Sequence, residues 1–130
     1  MSTTTRLTEL QGVHVLVVDD DKVSRGFLRS VLEFSGGVVT ATAAADALRA
    51  AVIADVIVCD LESAQRAGSE FLAQLQQLHV RLGRPVPLMA LVPAGTRRAR
   101  THAAGFGSYL LKPVDGDELR AAVSMARWLK

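Results

Sequence analysis

The sequence predicts an α/β domain: one five-stranded parallel sheet with helices on both faces. Three observations carry this. Apolar, β-branched runs alternate five times with amphipathic helical stripes, which is the pattern of parallel strands joined by right-handed crossovers. The most apolar run, Val56-Ile57-Val58-Cys59, is uninterrupted, as suits a strand covered on both faces. Three of the runs end in charge: the first at Asp19-Asp20-Asp21, the third at Asp60 and the fifth at Lys112. The carboxyl edge of an open α/β sheet is where ligands bind, so these residues define a site and the rest of the chain reads as its scaffold.

Size and composition set the bounds. The chain has 130 residues, 49% of them apolar, enough for one domain with a real core and against general disorder. A net charge of +2 and a pI near 9.1 are too mild to argue for nucleic acid. The single cysteine, Cys59, rules out an internal disulfide and argues against a zinc cluster. Inside a buried strand it reads as a small apolar residue. No apolar run approaches membrane-span length and none resembles a signal peptide, so a cytoplasmic protein is expected.

Taken in order, residues 1–12 lack an apolar period and are expected to form a flexible lead-in, with the domain proper at 13–130. The first strand is 13–18, and its His14 has no second ligand at metal spacing. Val23, Phe27, Leu28, Val31 and Leu32 then recur at helical spacing, and Gly36-Gly37 ends that helix. A short second strand covers 38–41. An alanine-rich helix at 43–52 has Leu48 as its expected anchor. After the third strand, 61–67 is expected to be a loop crossing over the site. Gly68 turns the chain into a third helix with Phe71, Leu72, Leu75, Leu78 and Leu82 on one stripe, closed by Gly83-Arg84-Pro85. The fourth strand is 86–92, with Pro87 near its start. A fourth helix at 96–104 carries Arg97, Arg98 and Arg100, and Gly105 ends it. The fifth strand is 108–111. Asp115 and Glu118 have capping-box spacing for a fifth helix built on Leu119, Ala122, Val123 and Ala126.

Packed carboxylates repel one another unless a cation sits among them. All-oxygen, anionic ligands suit magnesium, which keeps several waters and takes one or two carboxylates plus a phosphoryl oxygen. Lys112 adds a compact positive charge for such an oxygen. A carboxylate beside a metal and a lysine can attack phosphorus and form an aspartyl phosphate. Each piece also has a plain structural reading. Asp21 is a natural helix N-cap, and Lys-Pro is a common turn. The functional reading rests on their joint occurrence.

From about Val13 to Leu129 the chain resembles the receiver domain of two-component response regulators. The matching residues are Val15-Leu16-Val17-Val18-Asp19-Asp20-Asp21, Val58-Cys59-Asp60-Leu61 with Gly68 downstream, Ala104-Gly105-Phe106, and Tyr109-Leu110-Leu111-Lys112-Pro113. The resemblance implies the flavodoxin-like, doubly wound (βα)5 fold with strand order 2-1-3-4-5, the order of the chemotaxis receiver. It implies that Asp60 accepts a phosphoryl group from a kinase phosphohistidine. Asp20 and Asp60 would bind Mg2+ directly, Asp19 would act through water, and Glu62 would supply a backbone carbonyl. Lys112 would pair with the phosphoryl group, with a cis bond to Pro113. The implied partner is a sensor histidine kinase or phosphotransfer domain. A homodimer through the fourth helix, fifth strand and fifth helix is the other contact it suggests. The protein would be a signalling switch and not an enzyme, with no direct contact to nucleic acid or membrane.

Two departures stand out. The family's threonine or serine at the end of the fourth strand falls on Val92, which has the shape but no hydroxyl to draw the following loop inward. Tyr109, the second switch residue, is kept. Phosphorylation with a weak or rewired response is therefore expected. The second departure is Ser63-Ala64 in place of methionine-proline, which predicts a more mobile loop. The competing reading is a pseudo-receiver, the same fold used as a phosphorylation-independent interaction module. A phosphatase of the haloacid dehalogenase type would want a second aspartate where this chain has Glu62. The arginines at 97, 98 and 100 and Trp128 read as solvated or partner-facing positions.

Overall fold

The computed structural model describes residues 8–95 and 105–127. The fourth helix expected at 96–104, with Thr96 and its arginines, and Trp128 lie outside the described residues. Five parallel strands form one sheet in the order β2-β1-β3-β4-β5. They are β1 (His14–Val18), β2 (Val38–Thr42), β3 (Val56–Asp60), β4 (Leu88–Val92) and β5 (Ser108–Leu111). The described helices are α1 (Lys22–Phe34), α2 (Ala44–Ala50), α3 (Leu61–Ala67), α4 (Ser69–Gln76), α5 (Leu78–Leu82) and α6 (Gly116–Ala126), with a 3-10 turn at Ala51–Ile53. This is the flavodoxin-like arrangement anticipated from the alternation of runs and from the receiver resemblance.

Strand alternation divides the core between two faces. Val15, Val17, Val56, Val58, Met89 and Leu91 meet Leu28 and Leu32 of α1 and Leu119 and Val123 of α6. Leu16, Val18, Ile57, Cys59, Ala90 and Val92 meet the layer formed by α2 to α5. Both faces of β3 are covered, so all five of its residues are buried, which explains its unbroken apolar run.

Several local expectations are corrected. Residues 8–12 are docked and not a free lead-in: Leu10 is 0% exposed, its N–H donates to Ser35 O at 2.8 Å, and Glu9 pairs with Arg120. Gly36 makes room for this strap. It has φ +92° and lies against the Gln11 backbone, where a Cβ would be crowded. In α2 the anchor is fully buried Ala47, with Ala44, and Leu48 packs only partly. A helix this close to the sheet has space for a methyl group. On α1, Val23 is 81% exposed and Phe27 half exposed, although both fall on the apolar stripe. The third helix is broken at Gln77 into α4 and α5, with Gly83 in the left-handed region closing the second piece. β4 begins at Leu88, after Pro87.

Residues 61–67, expected as a loop, form α3 directly after β3, with Asp60 as its N-cap. The reason is local. Ala64 has an N–H where a proline would have none, and proline would also disfavour helical backbone at Ser63. The substitution that suggested a mobile loop instead lets a helix start at once.

Candidate functional site

The carboxyl edge of the sheet gathers the acidic residues and the lysine. β1 delivers Asp19, β3 delivers Asp60 and β5 delivers Lys112. Along each strand the residue two before, Val17, Val58 and Leu110, belongs to the α1/α6 face. Val92 and Tyr109 pack on the opposite face. Val92 is fully buried, and its carbonyl accepts from Lys112 N at 2.8 Å. The Lys112-Pro113 peptide is cis.

Asp60 is 4% exposed. Its Oδ1 meets Lys112 Nζ. Its Oδ2 accepts from Ser63 N at 2.9 Å and Ser63 Oγ at 2.7 Å. Burial pushes its carboxyl up, but the Lys112 and Ser63 hydrogen bonds outweigh this and hold it below the usual carboxylate value. Burial likewise acts against the Lys112 ammonium, yet Asp60, Asp19 and Glu62 hold its pKa above the ordinary lysine value. Asp19 goes the other way. Burial raises it, the Asp21 N–H lowers it only in part, and the Asp60 charge raises it further. Asp19 Oδ1 accepts from Asp21 N at 2.9 Å, and Oδ2 is buried with no hydrogen-bond partner. Asp21 caps α1 through Ser24 N at 2.8 Å, the plain role assigned to it. Cys59, one residue before the acceptor, is buried, and its thiol is pushed up to about 12 by burial and by the Asp60, Asp19 and Asp20 charges.

Asp20 is engaged differently. Its Oδ1 accepts from Ala44 N at 2.9 Å, and its Oδ2 lies 3.3 Å from Arg66 Nη2. Glu62 is exposed on α3. It lies in the first turn of α3, two residues after Asp60. Among the described residues no group of three or more potential ligands is gathered tightly enough to hold a metal. The residue types do fit a hard divalent cation, which needs only one or two carboxylates besides water. The unpartnered Asp19 Oδ2 is an open buried acceptor at this edge.

Two residues escaped the sequence reading. Ser63 is 0% exposed and ties the site together: its Oγ donates to Asp60 and accepts from Asp20 N at 3.0 Å. Arg66 Nη2 reaches the same oxygen at 3.4 Å. The Asp60-x-x-Ser63 spacing is an N-cap signal, and Arg66, three further on, shares the helix face.

A doubly wound sheet with aspartates after β1 and β3 and a lysine-cis-proline after β5 defines the class of receiver domains. The family model for the response regulator receiver domain matches residues 15–124, and the chain belongs to that family of two-component signalling domains. An uncharacterised 14.6 kDa protein of Leptolyngbya boryana is 33% identical over 115 residues, covering 85% of this chain and 86% of that one. A putative response regulator from Chloroflexus aurantiacus superposes with a TM-score of 0.75 at 25% identity, covering 88% of this chain and 97% of that chain. The receiver domain of Saccharomyces cerevisiae Ssk1, crystallised with the histidine phosphotransfer protein Ypd1, gives 0.77 at 20% identity over 90% of each chain. The chain spans 26% of the larger NtrX from Brucella abortus. Receiver domains are signalling modules, and in general they bind Mg2+ at this acidic pocket. No helix among the described residues is long and apolar enough to cross a membrane.

Proposed function

We propose that Asp60 accepts a phosphoryl group from the phosphohistidine of a sensor histidine kinase or phosphotransfer domain, and that the aspartyl phosphate is the signalling state. The observation that carries this reading is the ion pair of buried Asp60 with partly exposed Lys112 at the sheet edge. With its pKa lowered, Asp60 is ionised and nucleophilic at neutral pH. In the transfer an Asp60 oxygen bonds to phosphorus as the P–N bond breaks. The electron pair stays on the imidazole nitrogen, which takes up a proton. Lys112, already against Oδ1, stabilises charge on the transferring oxygens. Asp20 and Asp60 are the residues to hold Mg2+, with Asp19 acting through water. When bound, the ion neutralises phosphoryl charge.

The mouth of the site supports a protein donor. Val23 and Phe27 of α1, with Pro113 and Val114, bound a cleft of about 400 Å3 that also touches Asp19 and Lys112. An apolar rim beside the nucleophile suits docking of a phosphohistidine-bearing partner, as Ypd1 is to Ssk1. A homodimer through the expected fourth helix, which lies outside the described residues, with β5 and α6, a cytoplasmic setting and the absence of direct nucleic-acid contact belong to the same reading.

The test is intact mass after incubation with a small acyl-phosphate donor, with and without Mg2+, alongside Asp60→Asn. One Mg2+-dependent phosphoryl adduct is expected, absent from the variant. No adduct on folded protein overturns the reading in favour of a pseudo-receiver, the alternative that apolar Val92 supports.

A further inference from the structure

The first turns of α3 hold a cation that the reading above does not use. Asp60 caps α3, and Ser63 and Arg66 follow it three residues apart on that helix. Arg66 Nη2 lies 3.3 Å from Asp20 Oδ2 and 3.4 Å from Ser63 Oγ, the hydroxyl that donates to Asp60 Oδ2. The guanidinium therefore spans from one acidic strand end to the hydroxyl that caps the other. With Lys112 on Asp60 Oδ1, the three carboxylates already have two internal cations. The atom left out is Asp19 Oδ2, buried and unpartnered.

We propose that Arg66 is a built-in counter-cation that competes with a divalent metal ion for Asp20, so that the metal enters only as Arg66 swings out. This rests on Asp20 and Asp60 being the metal-facing carboxylates. Two features make the exchange feasible. Arg66 has a 61% exposed side chain, and an exposed ion pair is easily given up. Asp20 Oδ1 keeps its Ala44 N–H bond, so the carboxylate stays in place when Oδ2 is released. While Arg66 remains, it blocks one ligand oxygen and sets a positive charge beside the incoming ion.

The experiment titrates Mn2+, read by the loss of its free-ion paramagnetic resonance signal, into the parent protein, Arg66→Ala, Arg66→Lys and Arg66→Ala/Asp20→Asn. No phosphoryl donor is involved, so failure of Asp60 to be phosphorylated does not affect the outcome. Arg66→Ala is expected to bind Mn2+ at least about tenfold more tightly than the parent, from the removal of a like charge at contact distance. Arg66→Lys, which keeps the charge, should stay within a few-fold of the parent, and the double variant should lose the gain. Equal or weaker binding by Arg66→Ala, including no binding by either protein, overturns the proposal. So does a gain that survives Asp20→Asn, because the ion would then lie elsewhere.

Discussion

β3 and β4 lie side by side in the sheet and end in opposite ways. β3 ends on Asp60, whose oxygens hold Lys112 and both donors of Ser63. β4 ends on Val92, fully buried in an apolar cluster, with its carbonyl accepting from Lys112 N. The two residues also look to opposite faces of the sheet. Asp60 and Val92 thus belong to separate strands and separate layers. Either can change while the other is kept. A buried hydroxyl without a partner costs more than a methyl group, so valine suits a strand end packed into the apolar layer.

The largest expected effect tests how β3 is held. Ala64→Pro removes an N–H from the first turn of α3 and should destabilise the fold by about 3 kcal/mol, with loss of the Ser63 bonds to Asp60. A urea midpoint unchanged from the parent would mean that α3 does not brace that strand end. Ser63→Ala comes next, at about 1 to 3 kcal/mol, because it strips a donor from Asp60 and leaves Asp20 N unpaired. This loss depends on pH. Asp60 has a folded pKa below its unfolded value near 3.8, so its contribution is present above that value and disappears as pH falls through the folded one. The gap between parent and Ser63→Ala should be widest at neutral pH and narrow below about pH 4. A gap of constant size would tie the loss to Asp20 N alone. The smallest effect belongs to β4. Val92→Thr should cost about 1 kcal/mol and leave adduct formation untouched, while enlarging the phosphorylation-induced change in amide exchange across β4 and β5. An unchanged response would remove the missing hydroxyl as the reason for weak coupling.

How far the sequence leads can be judged at the same strand ends. Asp60 and Lys112 are legible because a buried strand that stops on a charge leaves that charge at the edge. Strand order comes with the receiver resemblance, since periodicity carries no information about neighbours. The α3 helix is hidden because its seven residues follow the strand with no linker and are too few to show an apolar period, although Asp60 is a residue type suited to an N-cap. Leu10 is hidden because one apolar residue among polar ones has no period. Val23 and Phe27 mislead for a different reason. Helical spacing says which residues share a face, but not how far the covering layer extends, and the first turn of α1 runs beyond it.

Cys59 gives the molecule an internal probe. It is the chain's one cysteine, sealed in a strand flanked by β1 and β4. With its thiol pushed up to about 12 by burial and the neighbouring carboxylates, the reactive thiolate is scarce at neutral pH. Oxidants and alkylating reagents therefore pass it by while the sheet is closed, although it sits beside Asp60. Modification of that sulfur requires the central strands to part, so the rate at which a thiol reagent reacts follows the opening of the interior.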